Sequence, residues 1–208
     1  MSPDPRAAQV SDALDAIGLR RQSIGRLTRY SGTGTLTGRA FTMQCAPAAP
    51  RTGERYAGLL AALDAVSEGD LVVVASGPSD AAAVWGELLS TSCRARGAVG
   101  TVTDGLIRDT VQIAELGYPV FAAGTSPLDI DGRLDVTAHG VEVTVGGVAV
   151  AAGDIMVADD DGVVVVPAAV AVDVLERAVA KARGEDDFRD AVAGGESATD
   201  AFRRFDVL

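Results

Sequence analysis

One histidine and two cysteines are all the imidazole and thiol that this 208-residue chain contains. His139 stands alone, and Cys45 and Cys93 form no Cys-x-x-Cys pair, so the ligand set of a Cys/His zinc site is lacking. A disulfide framework is not expected either, and a reducing cytoplasm is the expected location. Aromatic residues are scarce at 4%, so a core must be built from Ala, Val, Leu and Ile, which a hydrophobic content of 48% permits. Positive charge is outnumbered: 18 Lys and Arg face 29 Asp and Glu, for a net charge of −11. Such a surface repels phosphate backbones, so no nucleic-acid partner is expected. A small anionic substrate remains compatible, because an arginine and a metal ion can reverse the field inside one cleft. No apolar run approaches the roughly 20 residues that span a bilayer. The polar, proline-bearing start from Met1 to Val10 shows no apolar signal core, so no membrane partner is expected.

The pattern that is present reads as a single α/β domain over residues 1–208 with a mixed sheet. A short helix is expected at residues 11–17, capped by Ser11 and stopped by Gly18. A strand follows at residues 40–43, and an Ala/Leu-rich helix at residues 58–66. Three β-branched or apolar runs, residues 71–75, 98–102 and 119–122, alternate with helices expected at residues 81–96 and 109–116. This β–α–β–α–β order with short connections favours parallel pairing. Residues 141–145 and 148–150 flank Gly146-Gly147 as a hairpin. Residues 155–158 and 163–166 form another around Asp159-Asp160-Asp161-Gly162. A helix follows Pro167 over residues 168–183, with Val170, Val174 and Ala178 on one apolar face, and a last short helix lies near residues 199–205.

The most informative segment is Thr101-Val102-Thr103-Asp104-Gly105-Leu106-Ile107-Arg108-Asp109, in which a buried strand ends in a turn and presents Arg and Asp side by side before a helix. Ligands of open α/β sheets bind beyond the carboxyl ends of strands. Arg108 suits a carboxylate held by two parallel hydrogen bonds. Asp109 suits magnesium or manganese as a hard oxygen ligand. The alternative is a surface ion pair at a helix N-terminus, where Asp is favoured anyway. In Trp85-Gly86-Glu87-Leu88-Leu89, Glu87 could hold a metal-bound water, and Gly86 would let the amides of Glu87, Leu88 and Leu89 approach a carboxylate. The alternative there is a glycine kink and a solvated Glu within a helix. The Asp159–Gly162 run lacks the spacing of a calcium loop and reads as a hairpin turn. His139 reads as a loop residue, and the two cysteines as core residues.

Six segments, in order, carry a resemblance: Val10-Ser11-Asp12-Ala13-Leu14-Asp15, Gly69-Asp70-Leu71-Val72-Val73-Val74, Trp85-Gly86-Glu87-Leu88-Leu89, Asp104-Gly105-Leu106-Ile107-Arg108-Asp109, Pro119-Val120-Phe121-Ala122, and Gly153-Asp154 leading to Asp159-Asp160-Asp161-Gly162-Val163. Over nearly its whole length the chain resembles the 4-hydroxy-4-methyl-2-oxoglutarate (4-carboxy-4-hydroxy-2-oxoadipate) aldolases. That family also holds the regulators of ribonuclease E activity, and its members were once labelled demethylmenaquinone methyltransferases. The resemblance implies a swivelling-domain-like, layered α/β sandwich. It implies a class II pyruvate aldolase using magnesium or manganese, with oxaloacetate decarboxylase activity, acting on a small 2-keto acid. It further implies homotrimers, or dimers of trimers, with sites between subunits.

By the same resemblance Asp109 matches the direct metal ligand, Arg108 the pyruvate-holding arginine and Glu87 the acid that binds metal through water. The stretch Gly86, Glu87, Leu88 and Leu89 matches the carboxylate-holding loop. Glu185 falls near a catalytic glutamate supplied by a neighbouring subunit, with the tail of about 184–208 packing there. The chain departs from the family where an Asp-Asn pair is usual, having Arg51-Thr52-Gly53-Glu54-Arg55, and it offers no Lys between Ser126 and Arg133. Both departures concern the acceptor end of the substrate. Two competing readings are a non-catalytic protein-binding regulator of the ribonuclease E type and a methyltransferase. The latter lacks any Gly-rich loop followed by an acidic ribose-binding residue.

Overall fold

The computed structural model describes residues 5–50, 53–77 and 82–207. Along the chain these form α1 (Ala7–Ala16), β1 (Ser23–Ile24), β2 (Thr28–Ser31), β3 (Leu36–Pro47), α2 (Ala57–Ala65) and β4 (Asp70–Ala75). The middle contains β5 (Ala83–Trp85), α3 (Glu87–Ala95), β6 (Gly100–Thr103), β7 (Leu106–Ile107), α4 (Thr110–Leu116), β8 (Val120–Ala122) and β9 (Gly124–Thr125). The rest holds β10 (Leu134–His139), β11 (Val143–Val145), β12 (Val148–Val150), β13 (Ile155–Asp159), β14 (Gly162–Val166), α5 (Ala171–Ala193) and α6 (Ala198–Phe205).

The main sheet runs β1-β14-β13-β3-β4-β6-β8-β2, with β10 also on β3. The pairs β3–β4, β4–β6 and β6–β8 are parallel and the others antiparallel, which is the expected mixed α/β sheet. Within it β4 and β8 are buried along their whole length, and their sequences are continuous apolar runs rather than alternating ones. On one face Val72, Val74 and Val120 pack with Leu59, Leu63, Cys93 and Ile113 from α2, α3 and α4. On the other, Leu71, Val73, Val102 and Phe121 pack under the β11–β12 hairpin. A third apolar cluster seats α1 and α5 on β13 and β14.

A smaller parallel sheet, β5-β7-β9, sets the stage for the site. Its strands belong to the segments that follow β4, β6 and β8, so it extends the carboxyl end of the main sheet as a second tier. Main-chain bonds from Arg108 N–H to Trp85 C=O (3.0 Å) and from Ser126 N–H to Ile107 C=O (2.9 Å) continue it by one residue.

Several local expectations are corrected. The helix expected at 81–96 begins only at Glu87; Ala83–Trp85 are strand, and Gly86 is the N-cap, not a kink. Ser11 lies inside α1, whose N-cap is Arg6. The first N–H groups of the helix are met both locally and from across the fold: Gln9 Oε1, within the helix, accepts the Arg6 N–H at 2.7 Å, and Asp159 Oδ2 accepts that of Ala7 at 2.8 Å. A cap of this kind contributes about 1 kcal/mol. Asp109 is the N-cap of α4 rather than its first residue. The segment after Pro167 starts as a 3-10 turn, Ala168–Val170, and α5 then runs ten residues beyond 183, to Ala193. His139 ends a strand, β10, and stacks on Phe41 at 5.7 Å.

The Asp159–Gly162 turn is spent on structure. Besides capping α1 through Asp159, it pairs Asp160 with Arg29 of β2 at 3.2 Å. That tie joins the β13–β14 turn to the far end strand of the sheet. Among the described residues no helix is long and apolar enough to cross a membrane.

Cys45 and Cys93 are buried, at 5% and 0% exposure. Burial pushes both thiols up to about 12, with Asp104 adding to the shift at Cys45 and Arg96 opposing it at Cys93. Only about one thiol in ten thousand is then ionised at pH 8, and the thiolate is the reactive form. Both cysteines are expected to resist alkylation by iodoacetamide at pH 8 in the native protein and to react fully in 6 M guanidinium. Native labelling at the rate of a free thiol would refute the placement.

Candidate functional site

Three parallel strands of the upper tier end side by side. β5 delivers Gly86 and Glu87, β7 delivers Arg108 and Asp109, and β9 delivers Ser126. Trp85, 1% exposed, anchors the first: its indole N–H donates to Ser90 Oγ at 2.9 Å, and that hydroxyl donates to Gly86 C=O at 3.0 Å. The α3 N-terminus is thereby pinned next to β7.

The Asp109 side chain does not act as the ordinary cap of its own helix. An aspartate at an N-cap ordinarily accepts an N–H from its own helix. Here it has φ +59° and ψ +36°, and its side chain makes no cap bond to α4. Instead Oδ2 accepts the Glu87 N–H of the neighbouring helix α3, at 3.3 Å. Gly86 makes the approach possible: a Cβ there would stand 2.8 Å from Asp109 Oδ2 and 3.2 Å from Arg108 Cγ. Asp tolerates this left-handed conformation better than most residues, at a cost of order 1 kcal/mol. The conformation turns the carboxylate out beside Arg108, whose Nε lies 3.6 Å from Oδ2.

The two side chains are about one-third exposed, at 35% and 38%. They open on a cavity of about 380 Å³ lined by Ile107, Arg108, Asp109, Thr110, Thr125, Ser126 and Pro127. The Glu87 carboxylate lies along α3, accepting the Thr91 hydroxyl at 2.6 Å. In the first turn of α3 the amides of Leu88 and Leu89 have no acceptor within the helix. The Leu88 side chain is 71% exposed, while Leu89 packs partly on the core.

Glu185 lies elsewhere in its own chain. Its Oε2 accepts Gln9 Nε2 at 2.6 Å, Lys181 is 3.9 Å from Oε1, and the residue lines a separate apolar cleft with Phe188, Val192 and Val207. Arg51 and Thr52 lie outside the described residues. Sequence reasoning missed Thr110, Thr125 and Ser126 as cavity-lining hydroxyls, and it missed Asp129, whose Oδ1 stands 3.8 Å from Arg108 Nη1. The sequence marks that loop only by its lack of a Lys, and a carboxylate there carries no signal of its own.

Residues 7–165 match the family model described as RraA-like, Aldolase/RraA. The chain belongs to this family. Its relatives include 4-hydroxy-4-methyl-2-oxoglutarate aldolase of Halalkalibacterium halodurans, a provisional name, 29% identical over 87% of this chain and 81% of that protein. Protein DlpA of Legionella pneumophila is 28% identical over 91% of this chain, which spans only 30% of the length of DlpA. Among solved structures, Streptomyces coelicolor RraAS2, described as an unusual member of the RNase ES inhibitor RraA protein family, is 33% identical, with a TM-score of 0.79 over 88% of this chain and 91% of that one. The RraA-like family thus joins aldolases with inhibitors of RNA processing.

Proposed function

We propose that this RraA-like chain is a divalent-metal-dependent carbon–carbon lyase. In this reading it cleaves 4-hydroxy-2-keto acids of the 4-hydroxy-4-methyl-2-oxoglutarate type to pyruvate and also decarboxylates oxaloacetate. The observation that carries the reading is the Asp109 carboxylate, turned away from its own helix and set beside the Arg108 guanidinium at one cavity mouth.

The donor set fits magnesium or manganese. Among the described residues no three His, Cys, Asp or Glu side chains converge on one point. A site of one or two carboxylates completed by water and substrate oxygens is the usual arrangement for magnesium, whereas zinc and calcium sites draw more protein ligands. Asp109 would hold the ion directly and Glu87 through water. Bound there, the ion would supply Lewis acidity to the keto and carboxylate oxygens of the substrate.

The protein side follows from chemistry. Arg108 grips the carboxylate of the keto acid through its planar fork. A base removes the proton of the 4-hydroxyl; Glu87, acting through one water, takes that role. The C3–C4 bond breaks, C4 becomes a carbonyl carbon, and the electron pair passes into the enolate of pyruvate. In this reading Arg108 meets that growing negative charge. Protonation at C3 then gives pyruvate. In oxaloacetate the bond to the departing carbon dioxide occupies the place of the C3–C4 bond, and the same enolate results.

The proposed assembly is a homotrimer, or a dimer of trimers, in which Glu185 of a second copy completes the site. The exposed apolar residues Leu88, Val111 and Leu128, each next in sequence to a residue of the site or its cavity, support cover by another copy. A cytoplasmic location belongs to the same proposal.

The test is to follow pyruvate from oxaloacetate and from 4-hydroxy-4-methyl-2-oxoglutarate with magnesium or manganese, with and without a chelator. Release that the chelator abolishes is expected. The second reading, an RNA-processing inhibitor, is favoured by the likeness to RraAS2. Binding of a ribonuclease together with no pyruvate under either metal would select it.

A further inference from the structure

A guanidinium that meets a carboxylate with two parallel bonds must be fixed in plane as well as in place. Asp109 cannot do this alone, since its Oδ2 lies 3.6 Å from Arg108 Nε and also takes the Glu87 N–H. A second carboxylate stands against another nitrogen of the fork: Asp129 Oδ1 is 3.8 Å from Nη1.

Asp129 is itself tightly held. The Tyr56 hydroxyl donates to its Oδ2 at 2.6 Å, across 73 residues of sequence, and the Asp131 N–H donates to Oδ1 at 3.4 Å. The direction of the Tyr56 bond is forced. Arg55 Nη2 lies 2.7 Å from the same hydroxyl, and a guanidinium can only donate, so the one phenolic proton goes to Asp129. Arg55 is in turn fixed by stacking 4.5 Å over the Tyr56 ring and by pairing with Asp131 at 3.0 Å. Donation therefore runs from Arg55 to Tyr56 to Asp129; Arg55 also pairs directly with Asp129 Oδ2 at 3.5 Å, and Oδ1 is left facing Arg108.

The backbone points the same way. Among the described residues, the non-glycine residues with positive φ are Arg26, Tyr56, Asp109 and Asp206. Two of these four, Tyr56 at +60° and Asp109 at +59°, meet at the two sides of Arg108 through Asp129. For a tyrosine this conformation is rare and persists only where the surroundings impose it. Charge states agree with the geometry. Burial would raise the Asp129 carboxyl, but the Tyr56 hydroxyl, the Asp131 and Ile130 amides and Arg108 outweigh it and hold it below its ordinary value.

We propose that Tyr56 and Asp129 are positioning residues that fix the plane of the Arg108 guanidinium beside Asp109. The catalytic consequence rests on the lyase reading above; the orientation of Arg108 does not. The test uses the full chain and four variants, Y56F, D129N, D129E and R108A, each checked by circular dichroism for an unchanged fold. The first readout needs no turnover: the side-chain Nε–H resonance of Arg108, assigned by its absence in R108A. It is expected to be distinct in the native protein, to move toward the free-arginine position in Y56F and D129N, and to be partly restored in D129E.

The second readout is pyruvate release from oxaloacetate with magnesium. About a tenfold loss in kcat/KM is expected for Y56F and more for D129N, mostly in kcat, with manganese affinity unchanged. Y56F keeps the ring and its packing, so it remains informative if D129N fails to fold. An Arg108 resonance that ignores both substitutions overturns the relay. Full kcat/KM in both variants, beside an inactive R108A, also overturns it and leaves the lyase reading intact. A resonance that responds in a protein whose native form releases no pyruvate supports the relay and removes the lyase reading.

Discussion

Asn in place of Asp109 is expected to lower metal-dependent pyruvate release from oxaloacetate by about a hundredfold or more, with little change in melting temperature. The substitution is chosen for what it leaves intact. Asn has the same shape and accepts the left-handed conformation that residue 109 adopts. Its amide oxygen can still take the Glu87 N–H that Asp109 Oδ2 now receives at 3.3 Å. What it removes is the anionic oxygen on which a hard cation depends. A loss that added manganese partly overcomes, with weaker manganese binding by titration, would place the defect in ion holding. Unchanged turnover would falsify the assigned role of Asp109.

The parts of the fold that were legible in sequence are those whose signal is local. Val72, Val73 and Val74 are a β-branched run bounded by Asp70 and Gly77, and such runs go to strands covered on both faces. The glycines that set off the β11–β12 and β13–β14 turns act within a few residues, so both hairpins were readable. What escaped depends on distant partners. β5, β7 and β9 are two or three residues long, too short for any period to show, and they are strands only because they pair with one another. The Ala-rich approach to Gly86 therefore read as helix, although Gly86 starts the helix. Asp159, which takes the Ala7 N–H at the start of α1, lies 152 residues away, and no local pattern can announce that bond. β10 is a different case: Leu134, Asp135, Val136 and Thr137 alternate in burial, and that alternation was present in the sequence.

The same division runs through the candidate site. Arg108 and Asp109 adjoin in sequence and stand together in space. Their spacing could not show whether Asp109 serves its own helix; the left-handed turn and the Glu87 amide argue that it does not. Asp129, held by the remote Tyr56, stands beside Arg108, and neither residue leaves a trace in the chain.

Arg108→Lys separates geometry from charge at this site. Lysine keeps the positive charge but is a point donor on a flexible stem, whereas the guanidinium presents a planar fork. If Arg108 merely balanced the acidic surroundings of Asp109 and Asp129, at 3.6 and 3.8 Å, lysine would serve nearly as well. If it orients a keto-acid carboxylate and meets the charge of the enolate, the fork matters twice. The loss in kcat/KM for oxaloacetate is then expected to be about a hundredfold. Manganese binding is expected to stay within about twofold, because an exposed charge of the same sign remains near Asp109. The measurement is a paired one, manganese titration and steady-state pyruvate release on the same preparation. Equal falls in both would assign Arg108 to the integrity of the ion site instead. A lysine variant as fast as the native protein would show that charge alone suffices, and the planar fork would then have no part in the chemistry.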